Sequence, residues 1–196
     1  MWTWLFRPQC AACSAPAASP FCTACSESLV PATGDIAPWQ FGGALASAIR
    51  RLKFAGATHV ARTLAPLWSP LLAAAVAEHE GMVVPVPLHW RRRWKRGYDQ
   101  TWLLATHACR DARIGKPVIA LRRTRHSPAQ STLPAAQRAA NVDGAFEIIV
   151  GVRGKSVVLV DDVVTTGATL AAATRVLYAG GAVHVTHVAV ATSVRG

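Results

Sequence analysis

The chain has 196 residues, 52% of them hydrophobic, and carries 21 lysines and arginines against 10 acids, a formal charge of +11. That length holds one sizeable domain with a small appendage, and the apolar content excludes a disordered chain. The charge favours a polyanionic partner or an anionic substrate. The longest weakly charged stretch, residues 63–77, is too short to span a bilayer and contains Pro66 and Pro70. It reads as a buried, broken helix, with no membrane insertion. The start, MWTWLFRPQC, lacks the basic region and long apolar core of a secretory signal. A cytoplasmic protein is expected.

Taken in chain order, the first feature is a cluster of cysteines. Cys10, Cys13, Cys22 and Cys25 form CxxC, eight residues, then CxxC. Each CxxC presents two thiolates on a tight knuckle, and two knuckles close a tetrahedral zinc site. The surrounding segment is too small to build its own core. Structural zinc supplies roughly 10–16 kcal/mol of apparent binding energy in such peptides and replaces that core. Two disulfides or a redox dithiol are the competing readings, disfavoured by the expected reducing compartment and by the closeness of the two motifs. With all four positions filled by protein, the metal is structural. Cys109 stands alone in a helical stretch and reads as a buried thiol.

Residues 1–30 are therefore expected to form a zinc-binding module, residues 31–41 a linker rich in proline and polar residues, and residues 42–196 the main domain. GGALASAIRRLKFAG places Leu45, Ile49 and Leu52 on one helical face, with Gly56 as its stop. A second helical stretch runs from about Thr58 to His79, broken near the prolines. MVVPVPLH reads as a short buried strand, residues 99–112 as a helix, PVIAL (117–121) as a strand and PAAQRAAN (134–141) as a short helix. AFEIIV (145–150) and SVVLV (156–160) are two more strands. Leu170, Thr174 and Leu177 mark a helix ending at Gly180-Gly181, and AVHVTHVAVA is a last strand. Strands alternating with helices predict an α/β domain with a mostly parallel sheet and flanking helices.

The run VVLVDDVVTTGATL, residues 157–170, is the chemical centre of the chain. In open α/β sheets ligands bind at the carboxyl ends of the strands, and a strand ending at Val160 would put the following residues there. The first N–H groups of the next helix favour an anion. Thr165, Thr166 and Thr169 add hydroxyl donors, and Gly167 lets backbone approach a phosphate closely. Each hydrogen bond to a charged oxygen contributes roughly 1.5–3 kcal/mol, so four or five hold one phosphate well. Asp161 and Asp162 would repel that phosphate. They suit an adjacent group that donates hydrogen bonds, such as sugar hydroxyls, or a magnesium ion. The alternative is an ordinary strand–turn–helix capped by threonine. The absence of GxxxxGK[ST] excludes a nucleoside triphosphate P-loop.

This run resembles the 5-phosphoribosyl-1-pyrophosphate (PRPP) motif of type I phosphoribosyltransferases. The resemblance implies that Asp161 and Asp162 contact the ribose hydroxyls and that Thr165, Thr166, Gly167, Ala168 and Thr169 hold the 5-phosphate. The order of the four-cysteine start, LKFAG, VVPVPLHWRRRWKRGYDQ, RRTRHSPAQSTLPAAQRAANVDGAF and the PRPP motif is similar to the ComF family, a competence protein F-like group linked to DNA uptake. The family's RGxNQ segment is RGYDQ here, so Asp99, an acceptor only, stands where asparagine is usual.

Two basic segments complete the reading. In HWRRRWKRGYDQTW, Arg91, Arg92, Arg93, Lys95 and Arg96 give five cations in six positions. They would neutralise pyrophosphate and its magnesium, with Arg96 a catalytic candidate. They also make a candidate nucleic-acid patch, Arg91, Arg92, Arg93, Trp94 and Lys95, in which cations track phosphates while tryptophans stack on bases. A solvated basic helix start with its tryptophans packed inward is the third reading. The Ser/Pro/Gln-rich segment after Leu121 reads as a loop that closes over PRPP by resemblance. Arg122, Arg123 and Gln130 are candidate pyrophosphate or substrate contacts there, and Arg138 a catalytic candidate. Lys53 is a further candidate, although a lysine ending a helix is commonly only a favourable C-terminal charge. Two functions remain open: pentosyl transfer from magnesium-bound PRPP to an acceptor the sequence does not name, or a non-enzymatic single-stranded DNA-binding competence factor whose PRPP pocket is a sensor or structural.

Overall fold

The computed structural model describes residues 8–124 and 144–193. Strands β1 (Trp39–Gln40), β2 (Met82–Pro85), β5 (Ser156–Val164) and β6 (His184–Thr192) make one sheet in the order β1-β6-β5-β2, every pair parallel. Strands β3 (Leu121–Arg123) and β4 (Phe146–Ile148) form a separate antiparallel pair. The parallel strands are apolar on both faces, as helices covering both sides require. Val158, Val160, Val188 and Val190 face α2 (Gly43–Phe54), α3 (His59–Leu64), α4 (Ser69–His79) and α6 (Gln100–Asp111). Val157, Leu159 and Ala189 face α7 (Ala168–Ala179) and the β3–β4 pair. This is the expected α/β architecture. Pro85 is accommodated because β2 lies at the edge of its sheet.

Three boundaries differ from the sequence reading. The strand expected to end at Val160 continues through both aspartates to Val164. Strand β6 runs alongside for the same nine residues, with Asp161 opposite Ala189 and Val163 opposite Ala191, so the ladder has a partner to extend on. The strand expected at 117–121 begins only at Leu121. The preceding residues run extended beside β2, with one backbone bond from Val118 N–H to the Val83 carbonyl. The strand expected at 145–150 is shorter, Phe146–Ile148. The helix expected at 134–141 lies outside the described residues.

The cysteine segment is not set apart from the domain. Cys10, Ala11 and Phe21 are buried in the same core as Leu45, Ile49 and Leu52 of α2. Arg51 donates to the carbonyls of Cys10 and Ala11, and Ala44 N–H donates to the Ser28 hydroxyl. Contact is so close at Gly43 that a Cβ would sit 2.6 Å from the Ser28 carbonyl oxygen. The stretch read as a linker is likewise ordered: Trp39–Gln40 is the edge strand β1, and the Trp39 indole donates to the Leu67 carbonyl. No single helix among the described residues is long and apolar enough to cross a membrane. The bent pair His59–Leu67 and Ser69–His79 turns by 66°, and its Val60, Leu64, Trp68 and Leu72 are core residues.

Candidate functional site

Strand β5 alternates its side chains, so Asp162 continues the face of Val158 and Val160 towards α2 and α6. Asp162 is 4% exposed, and each of its carboxylate oxygens accepts one hydrogen bond. Lys53, near the end of α2, donates to Oδ1 at 2.7 Å, and Gln100, the first residue of α6, donates to Oδ2 at 2.9 Å. Arg96 in turn donates to Gln100 Oε1. A buried carboxylate is tolerated only with such compensation. Asp161 points the other way, and its Oδ1 accepts from the Asp162 backbone N–H. Burial, and then the Asp162 charge, push the Asp161 carboxyl up to about 7, against the opposing pull of Lys53 and Arg123.

Past Val164 the chain turns through Thr165 and Thr166 into α7. Gly167 precedes the helix with φ +74°. Ala168 N–H donates to the Thr166 hydroxyl at 3.4 Å, so the threonine-capped alternative holds for the first N–H of the helix. The first turn of α7 presents its positive dipole end beside Thr165 and Thr169.

Helix α5 (Trp90–Arg96) follows β2, with the His89 imidazole capping its start and Gly97, φ +82°, ending it. Helical spacing divides its cations. Arg92, Lys95 and Arg96 line a cleft of about 710 Å³ together with Lys53, Phe54, Tyr98, Arg123, Asp161, Asp162, Thr165 and Thr169. This volume suits a small ligand. Arg93 lines a second groove of about 460 Å³, with Trp90, Trp102, Ile119 and Ile149. Arg91 and Trp94 line neither. Trp94 is 86% and Trp90 61% exposed, so the inward-packing reading of these tryptophans is corrected. Residues of a seven-residue helix cannot all turn to one side, and α5 spreads the expected patch over three directions.

The β3–β4 pair separates Arg122 from Arg123 by the same two-residue period. Arg123 turns to the cleft, its guanidinium 5.4 Å from the Phe146 ring centroid and its Nε buried without a hydrogen-bond partner among the described residues. Arg122 is exposed on the second groove and paired with Glu147, the residue opposite it in the ladder. The structure does not place it with the cleft residues. Gln130 and Arg138 lie outside the described residues.

One contributor escaped the sequence reading, and a second was noted there only for departing from the family pattern. Gln100 is buried and anchors both Asp162 and Arg96; its signal was its place in RGYDQ. Asp99 is the N-cap of α6: Oδ1 accepts from the N–H groups of Thr101 and Trp102, and Oδ2 from Leu88 N–H. It ties the segment after β2 to the start of α6, a purely acceptor role for which a carboxylate is better suited than an amide.

The four cysteines converge as expected. All are free thiols, their sulfurs lie within 4.8 Å of one another, and Cys13 Sγ is 3.7 Å from Cys22 Sγ. That separation is too long for a disulfide and matches the edge of a zinc tetrahedron with bonds of about 2.3 Å. Burial raises the Cys10 thiol, but backbone hydrogen bonds from Cys13, Cys22 and Ala12 outweigh it and bring it down to about 6. Cys25 is pushed up to about 12, first by its hydrogen bond with Cys22. The donor set fits a zinc ion that displaces the remaining protons.

Residues 107–195 match the Phosphoribosyl transferase domain family. That match covers the acids and the threonine loop; Lys53, Arg96 and Gln100 precede it. The chain is 34% identical over 158 residues to the DNA utilization protein YhgH of Escherichia coli, an alignment spanning 74% of this chain and 69% of that protein. It is 36% identical over 129 residues to competence protein F of Haemophilus influenzae, covering 62% and 56% of the two chains. With competence protein ComFC of Bacillus subtilis it shares 27% identity over 143 residues, 73% and 57% of the two. A phosphoribosyltransferase domain behind a four-cysteine cluster, at this similarity to competence and DNA-utilization proteins, makes the chain a member of the ComF family of type I phosphoribosyltransferase-like proteins.

Proposed function

We propose that the chain binds PRPP in the 710 Å³ cleft and acts as a phosphoribosyltransferase in DNA uptake or DNA utilisation. The observation that carries this reading is one cleft holding two adjacent acids, Thr165 and Thr169 at the start of a helix, and cations from three separate elements. Thr165, Thr166, Gly167, Ala168 and Thr169 hold the 5-phosphate, and Asp161 and Asp162 the ribose hydroxyls. Lys53, Arg92, Lys95, Arg96 and Arg123 neutralise the pyrophosphate. Arg122, in its ion pair, has no part in this cleft. The YhgH and competence protein names of the relatives support the DNA role.

In transfer, the bond from the ribose C1 to a pyrophosphate oxygen breaks and its electron pair leaves on pyrophosphate. The acceptor's lone pair forms the new bond to C1, and the acceptor's proton passes to water or to the released pyrophosphate. Positive charge builds on the sugar ring, and the arginines stabilise the opposite charge on the leaving group. No covalent nucleophile is needed; positioning supplies much of the acceleration. Magnesium would bind one or two carboxylates together with the ligand's own oxygens. Asp161, whose Oδ1 alone accepts a hydrogen bond among the described residues, fits that role better than Asp162, and the ion would add Lewis-acid stabilisation of pyrophosphate. Zinc on Cys10, Cys13, Cys22 and Cys25 is structural and joins residues 1–30 to the core of α2, while residues 42–196, with Phe41 beside them, carry the cleft.

Calorimetry with PRPP and magnesium tests the site. Asp161→Ala with Asp162→Ala should abolish binding, and unchanged binding would falsify the assignment. The exposed Trp90 and Trp94 beside Arg91 favour a second reading, single-stranded DNA binding with the PRPP pocket as a sensor. There affinity should fall steeply with salt, and replacing Arg91–Arg93 by alanine should flatten the slope. Absence of binding at low salt defeats that reading.

A further inference from the structure

The last turn of α2 makes three consecutive polar contacts in different directions. Arg51 donates from Nη1 to the carbonyls of Cys10 at 3.2 Å and Ala11 at 2.7 Å. The Leu52 carbonyl accepts from the Tyr98 hydroxyl, and Lys53 donates to Asp162. Residues two apart on a helix stand about 200° from each other, so Arg51 and Lys53 leave α2 on opposite sides. One reaches the first cysteine knuckle and the other the acid of the cleft.

The apolar core gives that turn little support. Leu52 is the last buried residue of α2, and Phe54 and Ala55 are exposed. The carbonyls that end a helix have no partner within it and depend on what lies beyond. The Arg51 carbonyl accepts from the N–H groups of Ala55 and Ala57. Arg51 thus closes the helix with its backbone and ties it down with its side chain.

The other end of the tie depends on the folded knuckle. The Cys10 carbonyl also accepts from Ser14 N–H, the bond that closes the turn over Cys10–Cys13. Ala11 N–H donates to the Pro20 carbonyl, joining that turn to the segment before the second knuckle. These bonds fix both carbonyls where the guanidinium meets them. A zinc ion with four thiolates is a net anion, which favours a guanidinium beside it. The segment after the second knuckle meets α2 at its opposite end, where the Ser28 hydroxyl accepts from Ala44 N–H and donates to the Cys25 carbonyl.

We propose that Arg51 is a positioning residue of the cleft, through which the first cysteine knuckle sets where Lys53 meets Asp162. Its effect on ligand binding passes through Lys53. The proposal rests on the reading of Asp161–Thr169 as a ribose 5-phosphate site. It gives the four-cysteine cluster a part in ligand binding besides holding its own segment on the core.

The test is calorimetry with ribose 5-phosphate on the full zinc-loaded chain, with zinc content and the urea midpoint read for every variant. Arg51→Met should keep its zinc and weaken binding about five-fold. Arg51→Lys, which keeps a charged donor near the carbonyls, should recover at least half of that loss. Ser28→Ala loosens the other end of the contact and should lower the urea midpoint without changing affinity. On a Lys53→Met background, Arg51→Met should weaken binding by less than about two-fold more. If Arg51→Met does not retain zinc, Arg51→Gln, which keeps a polar group without the charge, takes its place with the same expectations. Equal losses of affinity from Ser28→Ala and Arg51→Met overturn the proposal, since the contact would then only hold the fold together. An undiminished effect on the Lys53→Met background overturns it as well. Unchanged affinity in Arg51→Met overturns the proposal while leaving the sugar phosphate site standing. Failure of ribose 5-phosphate to bind the unaltered chain removes the underlying site reading and the proposal with it.

Discussion

Replacing Lys53 with methionine isolates the energetics of the buried acid. The Lys53–Asp162 pair spans 2.7 Å, with side chains 22% and 6% exposed, so it is largely withdrawn from water. Removing one partner of a buried pair costs about 3–5 kcal/mol, because the remaining charge is stranded. Gln100 still donates to Oδ2, and a hydrogen bond to a charged group contributes about 1.5–3 kcal/mol. The net loss for Lys53→Met should therefore fall towards the lower end, about 2–3 kcal/mol, or roughly 5–10 °C for a chain of this length. Urea unfolding at fixed zinc reads it. Adding Asp162→Asn to Lys53→Met removes the stranded charge and should recover at least half of the loss. A Lys53→Met loss under about 0.5 kcal/mol, or no recovery in the double variant, would refute the account of Asp162 as a carboxylate held by this pair.

Asp161 predicts opposite pH trends for stability and binding. Its folded carboxyl keeps a proton to about 7, whereas the unfolded chain releases it near 4. The folded state binds the extra proton, so this group's contribution to stability declines as pH rises through that window. Ribose 5-phosphate affinity should instead rise between about pH 6 and 8 as the better acceptor forms, and Asp161→Asn should flatten that rise; an unaltered profile in the variant refutes it. Asp99→Asn leaves one acceptor for three N–H groups and should lower the urea midpoint by about 1–2 kcal/mol of stability; a neutral result refutes the capping account. Zinc chelation should lower the unfolding midpoint of the whole chain, because Phe21 and the Cys10 segment share the core of α2; an unmoved midpoint counts against structural zinc.

The acids and the threonine loop were legible because they form one contiguous run whose chemistry is local. The cysteines were legible because ligand spacing is a local constraint too. Lys53 was ambiguous for the opposite reason. A lysine ending a helix usually serves only the helix dipole, and its partner lies 109 residues away. Gln100 reaches Asp162 from 62 residues away and carries no charge to draw notice. Arg122 and Arg123 are adjacent and chemically identical, and only the strand period sends one to Glu147 and the other to the cleft. The fold's main displacement, β5 running through Asp161 and Asp162, came from pairing with β6, a long-range effect that acidic residues with low strand preference conceal.

The same contrast explains why the phosphate-loop half of the cleft is plain in the sequence and the cationic half is not. Phosphate recognition uses consecutive backbone N–H groups and hydroxyls, so it must be written as a run. The other half is assembled from single residues at the ends of α2, α5 and β3, each of which has an ordinary structural reading by itself. Asp162 is the piece that joins them: Lys53 comes to it from α2, Gln100 from α6, and Arg96 through Gln100. Asp99 then locks α6 to the segment after β2 that carries the cleft's other wall. A carboxylate at position 99 is thus part of the same assembly, setting where Gln100 starts and therefore where Asp162 is held.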